Sequence, residues 1–155
     1  MKTTTLAPII KEHAFFAGFD DATIDFVTGC AKNVRFEDGD DLARQGDPAD
    51  QFYLIREGRV AISFPAPQGG NITIETVDED DIVGWSWLMP PYEWQFDVTA
   101  VQPVRAIAMD GKCLRGKCEE NHELGYMLLK RFAGIMAQRL EAARLQLLDI
   151  YGVHS

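Results

Sequence analysis

The chain has 155 residues, 46% hydrophobic and 25% charged, with a formal net charge of −9. That is enough for one soluble globular domain with a real core and little room for a second. The acidity speaks against nucleic-acid binding by the chain as a whole, which depends on clustered Lys and Arg neutralising phosphates. No apolar run approaches the roughly 20 residues needed to span a bilayer. The Thr-rich start, Met1–Leu6, lacks the apolar core of a signal peptide. The expectation is a cytoplasmic protein with no membrane partner.

In chain order, residues 1–33 read as short helices. Ile9, Ile10, His13 and Phe16 recur at helical spacing up to Gly18. Asp20-Asp21 then offers caps for a second helix through Ile24, Phe26 and Val27, closed by Gly29. From Val34 the pattern becomes short strands broken by turns at Asp38-Gly39-Asp40 and Gln45-Gly46-Asp47-Pro48. Phe52–Ile55 is an apolar run. Val60, Ile62 and Phe64 alternate with Arg59, Ala61 and Ser63 as in a half-buried strand. The strand Ile72–Val77 follows a loop at Pro65–Asn71, and Val98–Ala100 and Val104–Met109 flank a turn at Gln102-Pro103. After Lys112 the period turns helical, and residues 121–150 contain no proline. The expected fold is mainly β with flanking helices: a single-domain antiparallel β-roll or jelly roll over 34–110, with short N-terminal helices and a long C-terminal helix.

That last helix carries two apolar stripes. Leu129, Met136, Ala143 and Ile150 are spaced by sevens, as are Ala133, Leu140 and Leu147, giving an a/d seam of about three heptads. Leu124, Leu128, Ile135, Ala142 and Leu145 form the other. One can pack on its own domain while the other meets a partner helix, so a coiled-coil homodimer is expected. The alternative is that both are buried in one monomer.

Other features read as structural. Glu37, Asp38, Asp40 and Asp41, and the run Asp78–Asp81, lack the spacing of a calcium loop and read as solvated turns. Arg105 reads as a solvated cross-strand partner. Three cysteines, Cys30, Cys113 and Cys118, give no disulfide framework; a Cys113–Cys118 pair is the candidate redox sensor, against a structural or incidental role. His13, His122 and His154 are far apart, and no metal site or cofactor is expected. Between Val34 and Met109 there is no histidine, which removes a cupin-like metal enzyme; no catalytic residue is nominated, and the chain reads as no enzyme.

The order of elements resembles the cyclic-nucleotide-binding domain of bacterial catabolite-activator regulators, kinase regulatory subunits and gated channels. The residues carrying it are Phe36-x-x-Gly39-x-x-Leu42, the stretch Gln45–Val60 with its glycine turns, and Asp81-Ile82-Val83-Gly84 before the phosphate-binding cassette. In that family a cassette Glu takes the ribose 2′-hydroxyl and a later Arg grips the cyclic phosphate. Carried over by position, the Glu falls on Trp85, and the Arg falls on or near Trp94, followed by Gln95. Both charged contacts are therefore absent. The segment Gly84–Trp94 instead holds all three tryptophans and Tyr92. The candidate ligand residues are Gly84, Trp85, Ser86, Trp87, Trp94 and Gln95. Arg144 on the long helix is a candidate replacement cation, its alternative being a surface pair with Glu141; Arg139 is the other helix arginine considered.

The leading expectation is a stand-alone regulatory sensor that does not bind cAMP in the usual way. One alternative is a cyclic-nucleotide receptor using a replacement cation; another is a structural interaction subunit with an aromatic-plugged pocket. A small ligand, nucleotide-like or apolar, and a protein partner both stay open. The family's transcription regulators carry a helix-turn-helix after the long helix, whereas five residues follow Ile150 here. DNA contact through this chain is not expected.

Overall fold

The computed structural model describes residues 6–150 and 152. The Thr-rich start up to Thr5, and Tyr151, Val153, His154 and Ser155, lie outside the described residues. The described part divides into two compact units, Met1–Lys117 and Cys118–Ser155.

The first unit opens with helix α1 (Leu6–Glu12), a 3-10 turn at Ala14–Phe16 and helix α2 (Asp21–Thr28). The expected caps are in place. The Asp20 carboxylate accepts from the Thr23 amide at 2.8 Å, and Gly29 closes α2. Eight strands follow: β1 (Ala31–Phe36), β2 (Asp41–Ala43), β3 (Gln51–Glu57), β4 (Val60–Pro65), β5 (Asn71–Val77), β6 (Ile82–Val83), β7 (Asp97–Ala100) and β8 (Val104–Asp110). The roll thus begins at Ala31, three residues before the expected Val34. All pairings are antiparallel, in two four-stranded sheets ordered β1-β8-β3-β6 and β2-β7-β4-β5. Tyr53, Ile55, Val104, Ala106 and Ala108 from the first sheet and Val60, Ile62, Val77, Val98 and Ala100 from the second share one interior core. This is the antiparallel roll that the patterning anticipates.

Strand β3 is buried on both sides. Tyr53 and Ile55 face the roll interior, while Phe52 meets Phe15 of the N-terminal segment, ring centroids 6.0 Å apart. The expected wet face of β4 is less wet than alternation implies. Ala61 and Ser63 are buried, because each small side chain lies between larger neighbours, Ala61 between Thr76 and Thr99 and Ser63 between Thr73 and Asp97. Phe64, near the end of the strand, is 36% exposed. Gly58 makes the β3–β4 turn at φ +95°, and a Cβ there would sit 2.2 Å from the Pro103 carbonyl oxygen. The acidic segments are turns except for Asp41, which opens β2; Asp78 pairs with Arg59, and Arg105 pairs across strands with Glu57.

The cysteines depart from expectation. Cys30, at the end of α2, is disulfide-bonded to Cys113 on helix α3 (Gly111–Glu120), 83 residues away, while Cys118 is the free thiol. Spacing along the chain cannot reveal such a pair; it arises because antiparallel β1 and β8 put Ala31 opposite Met109 and so bring the flanking segments together. Burial, and then Glu119, push the Cys118 thiol upward in pKa.

The second unit is the end of α3 and helix α4 (His122–Ile150), 29 residues long. The Asn121 side chain caps α4 by accepting from the Leu124 amide at 3.1 Å. Leu124, Leu128 and Phe132 are buried, whereas seam residues Leu129, Ala133, Leu140, Ala143, Leu147 and Ile150 are exposed and Met136 is half-buried.

His13 is 6% exposed, with Nε2 3.2 Å from the Ile55 carbonyl oxygen and Nδ1 accepting from the Phe15 amide at 3.1 Å. Both contacts suit a neutral ring. Burial lowers its pKa, against the opposing influence of the Ile55 hydrogen bond and of Asp80 and Asp81. The unfolded chain, with histidine near ~6.5, therefore takes up the proton first. The stabilisation is complete above that value and is lost as pH falls from it toward the lower folded value. Between pH 7 and pH 5 the melting temperature of the wild type should fall more than that of His13→Gln; parallel curves would exclude His13 as the group responsible.

Candidate functional site

The segment from Gly84 to Gln95 leaves β6, makes a 3-10 turn at Ser86–Leu88, passes a cis Pro90–Pro91 bond and runs into β7. Its return leg lies against the Gln45–Asp50 turn. The Ala49 amide donates to the Tyr92 carbonyl at 2.7 Å, the Trp94 amide to Asp47 at 2.9 Å, and the Gly46 amide to Trp94 at 2.8 Å. Two stretches that read as separate loops thus share a hydrogen-bonded seam.

Strand β3 divides the tryptophans. Trp87 is fully buried and stacks on Phe52 at 5.1 Å with planes 11° apart, on the side of β3 away from the roll interior. Trp94 stacks on Tyr53, on the interior side, at 6.5 Å and 24°, with its edge toward Phe96 at 6.2 Å. Trp85, half-buried, packs against the same interior core. The seven sequence candidates are therefore not brought together as one lining. Trp94 and Trp85 belong to the interior and Gly84 adjoins them; Trp87 belongs to the packing on the opposite face. Ser86 is buried, with no partner for its hydroxyl among the described residues. Gln95 is exposed and donates to the Glu93 carbonyl at 2.8 Å. Arg144, in the second unit, is exposed, with both Glu141 oxygens 2.8 Å from its Nη2. That is the surface pair weighed against its role as a replacement cation.

Gly84 and Trp94 fit each other closely. Gly84 has φ +105°, and a Cβ built there would lie 2.6 Å from the far edge of the Trp94 indole and 3.2 Å from Phe52 Cβ. The absent side chain makes room for the indole.

The electrostatics of the interior are plain. Among the described residues the buried polar side chains are His13, Thr28, Ser63 and Ser86, and no Lys, Arg, Asp or Glu is buried. Tyr53 donates to the Leu42 carbonyl at 3.5 Å, and burial raises its pKa. A cyclic phosphate moved into such a space would leave water without meeting a cation, which is strongly unfavourable. Sequence reasoning passed over Tyr53, Phe96 and Arg115. Tyr53 was legible as an inward position of a strand; Phe96, just before β7, and Arg115, which donates to the Trp87 carbonyl and lies 4.4 Å over the Tyr92 ring, left no such signal.

The family model for the cyclic nucleotide-binding domain matches residues 33–121, more than half of the chain and all of the cassette. The chain belongs to that family. It is 27% identical over 142 residues to a CRP-like cAMP-activated global transcriptional regulator of Mycobacterium tuberculosis, covering 92% of this chain and 62% of that protein. The chain thus spans less than two thirds of that curated relative. Among solved structures, a protein from Geobacter metallireducens described as cyclic nucleotide-binding superposes with a TM-score of 0.78 at 27% identity, covering 86% of this chain and 97% of that one. A cAMP-binding acyltransferase from Mycobacterium smegmatis superposes at 0.72 with 26% identity, covering 90% of this chain and 42% of that one.

Trp94 is 5% exposed and Trp85 half-buried, so truncation should separate them. Trp94→Ala should cost about 3–5 kcal/mol of stability in a urea titration, in line with buried aromatic truncations. Trp85→Ala should cost clearly less. Equal losses would mean that Trp94 does not fill the interior.

Proposed function

We propose that this chain is a regulatory module of the cyclic nucleotide-binding family whose interior is occupied by its own Trp94 and which does not take cAMP in the family's usual way. The observation that carries this reading is the indole of Trp94 stacked on Tyr53 inside an interior without a buried cation. The family's phosphate-gripping Arg falls on or near this same position, so the substitution removes the charge and fills the space at once. The filled interior favours the plugged interaction module over the cyclic-nucleotide receptor with a replacement cation. It also disfavours a flat apolar ligand within the roll.

The module acts as a dimer in this proposal. Leu140 is 72% exposed and Ile150 76%, and with Leu129 and Leu147 they lie on the heptad seam, where a second α4 would remove them from water. In sedimentation, the chain should have twice the 17.4 kDa mass of one copy. Leu140→Glu combined with Leu147→Glu should return it to a single copy, and a wild-type monomer at micromolar concentration would sink the dimer.

The pocket reading is tested by titrating the protein with cAMP and cGMP while following tryptophan emission and melting temperature. A bound ligand raises the melting temperature by mass action, so the expectation is no saturable change in either signal up to millimolar nucleotide. A saturable shift with cAMP would overturn the plugged interior and restore the receptor reading.

A further inference from the structure

Helix α3 touches two places that the family resemblance does not connect. Toward α2, Cys113 is bonded to Cys30, and the Lys117 ammonium lies 4.1 Å over the Phe26 ring. Toward the cassette, Arg115 donates to the Trp87 carbonyl and covers the Tyr92 ring. The start of the helix abuts Trp87 directly, since a Cβ at Gly111 would come within 2.8 Å of Trp87 Cβ. The disulfide and the cassette thus hold the same ten-residue helix.

The disulfide is also reachable. It forms part of the wall of an open groove of about 280 Å³ at the ends of β1, β3 and β8, together with Lys32, Asp50, Gln51 and Asp110. Cys30 is 6% exposed and Cys113 half-buried, so a nucleophile entering the groove meets the Cys113 sulfur more readily. Bonds to backbone remain when the sulfurs part: the Asp110 amide donates to the Cys30 carbonyl at 2.8 Å, and the Gly111 amide to Asp50 at 2.7 Å. Opening the bridge therefore removes the covalent hold on the helix beyond Gly111 while its root stays bonded.

We propose that Cys30–Cys113 is a thiol-exchange site for a dithiol reductant, and that opening it alters the Trp87–Tyr92 end of the cassette through α3. The thiolate of the reductant attacks the Cys113 sulfur, the Cys30–Cys113 bond breaks, and Cys30 departs as a thiolate that takes up a proton. The second thiol of the reductant then attacks its own sulfur in the mixed disulfide. This frees Cys113 and leaves the reductant as a cyclic disulfide, so two electrons pass to the protein. Arg115 is a positioning residue here, and the inference does not depend on what the roll interior binds.

The experiment uses the full chain and dithiothreitol as the dithiol. Denatured without reduction, the oxidised protein should show one thiol reactive with a chromogenic disulfide, that of Cys118, and after reduction all three. Across a series of reduced and oxidised dithiothreitol ratios, native tryptophan emission should move reversibly and in step with the thiol count. Cys118→Ser should keep this response. Arg115→Gln should keep the thiol count while losing at least half of the emission change, and Cys113→Ser should hold the reduced emission throughout. Three thiols after equilibration with oxidised dithiothreitol would overturn the site. Full reduction with unchanged native emission would overturn the coupling, since a merely structural bridge lowers the melting temperature without moving that signal. If Cys113→Ser does not fold, the wild-type titration decides alone.

Discussion

Everything in the first unit depends on β3 being buried on both faces. A strand of a roll normally presents one face to the core and one to water. Here Tyr53 and Ile55 look inward while Phe52 lies under the N-terminal segment. The strand acts as a partition with an aromatic on each side, and each recruits its own tryptophan from the cassette. The cassette is thereby tied into two cores at once, and its path is set by packing as much as by its hydrogen bonds to the Gln45–Asp50 turn.

This arrangement bears directly on the recognition proposed for the cassette. Charge recognition requires a cation held in a desolvated place, with its own charge compensated there. The chain has Arg and Lys, yet Arg59, Arg105 and Arg144 sit in exposed pairs, and Arg115, half-buried, lies over the Tyr92 ring and bonds the Trp87 carbonyl. Aromatic packing occupies the interior instead. On the proposed reading, the space the family uses for a nucleotide serves cohesion here, and the exposed α4 seam is the surface that would meet a partner.

Much of this was legible in the residues. The Asp20 cap, the glycine turns, the apolar run of β3 and the proline-free run of α4 each follow from local chemistry that acts over a few residues, and the order of elements followed from them. The expectation that Trp85 and Trp94 stand at the family's charged positions came from the resemblance, and the proposed function rests on it. What stayed hidden is what depends on pairing across the fold. The bond between Cys30 and Cys113 needs the β1–β8 register, and the separation of Trp87 from Trp94 needs to be read against β3 rather than along the cassette. Clustering in sequence suggested one aromatic pocket because the two tryptophans lie seven positions apart; the sheet between them makes them strangers.

The fit between Gly84 and Trp94 has a bearing on how such a protein changes over generations. Any side chain at 84 meets the indole, and any smaller residue at 94 leaves a hole beside a glycine that cannot fill it. Neither position can drift alone, so the two are locked as a pair across a valley of less fit intermediates. Keeping this packing through a change at either position takes a matched change at the other, so the pair should stay still while surface positions vary.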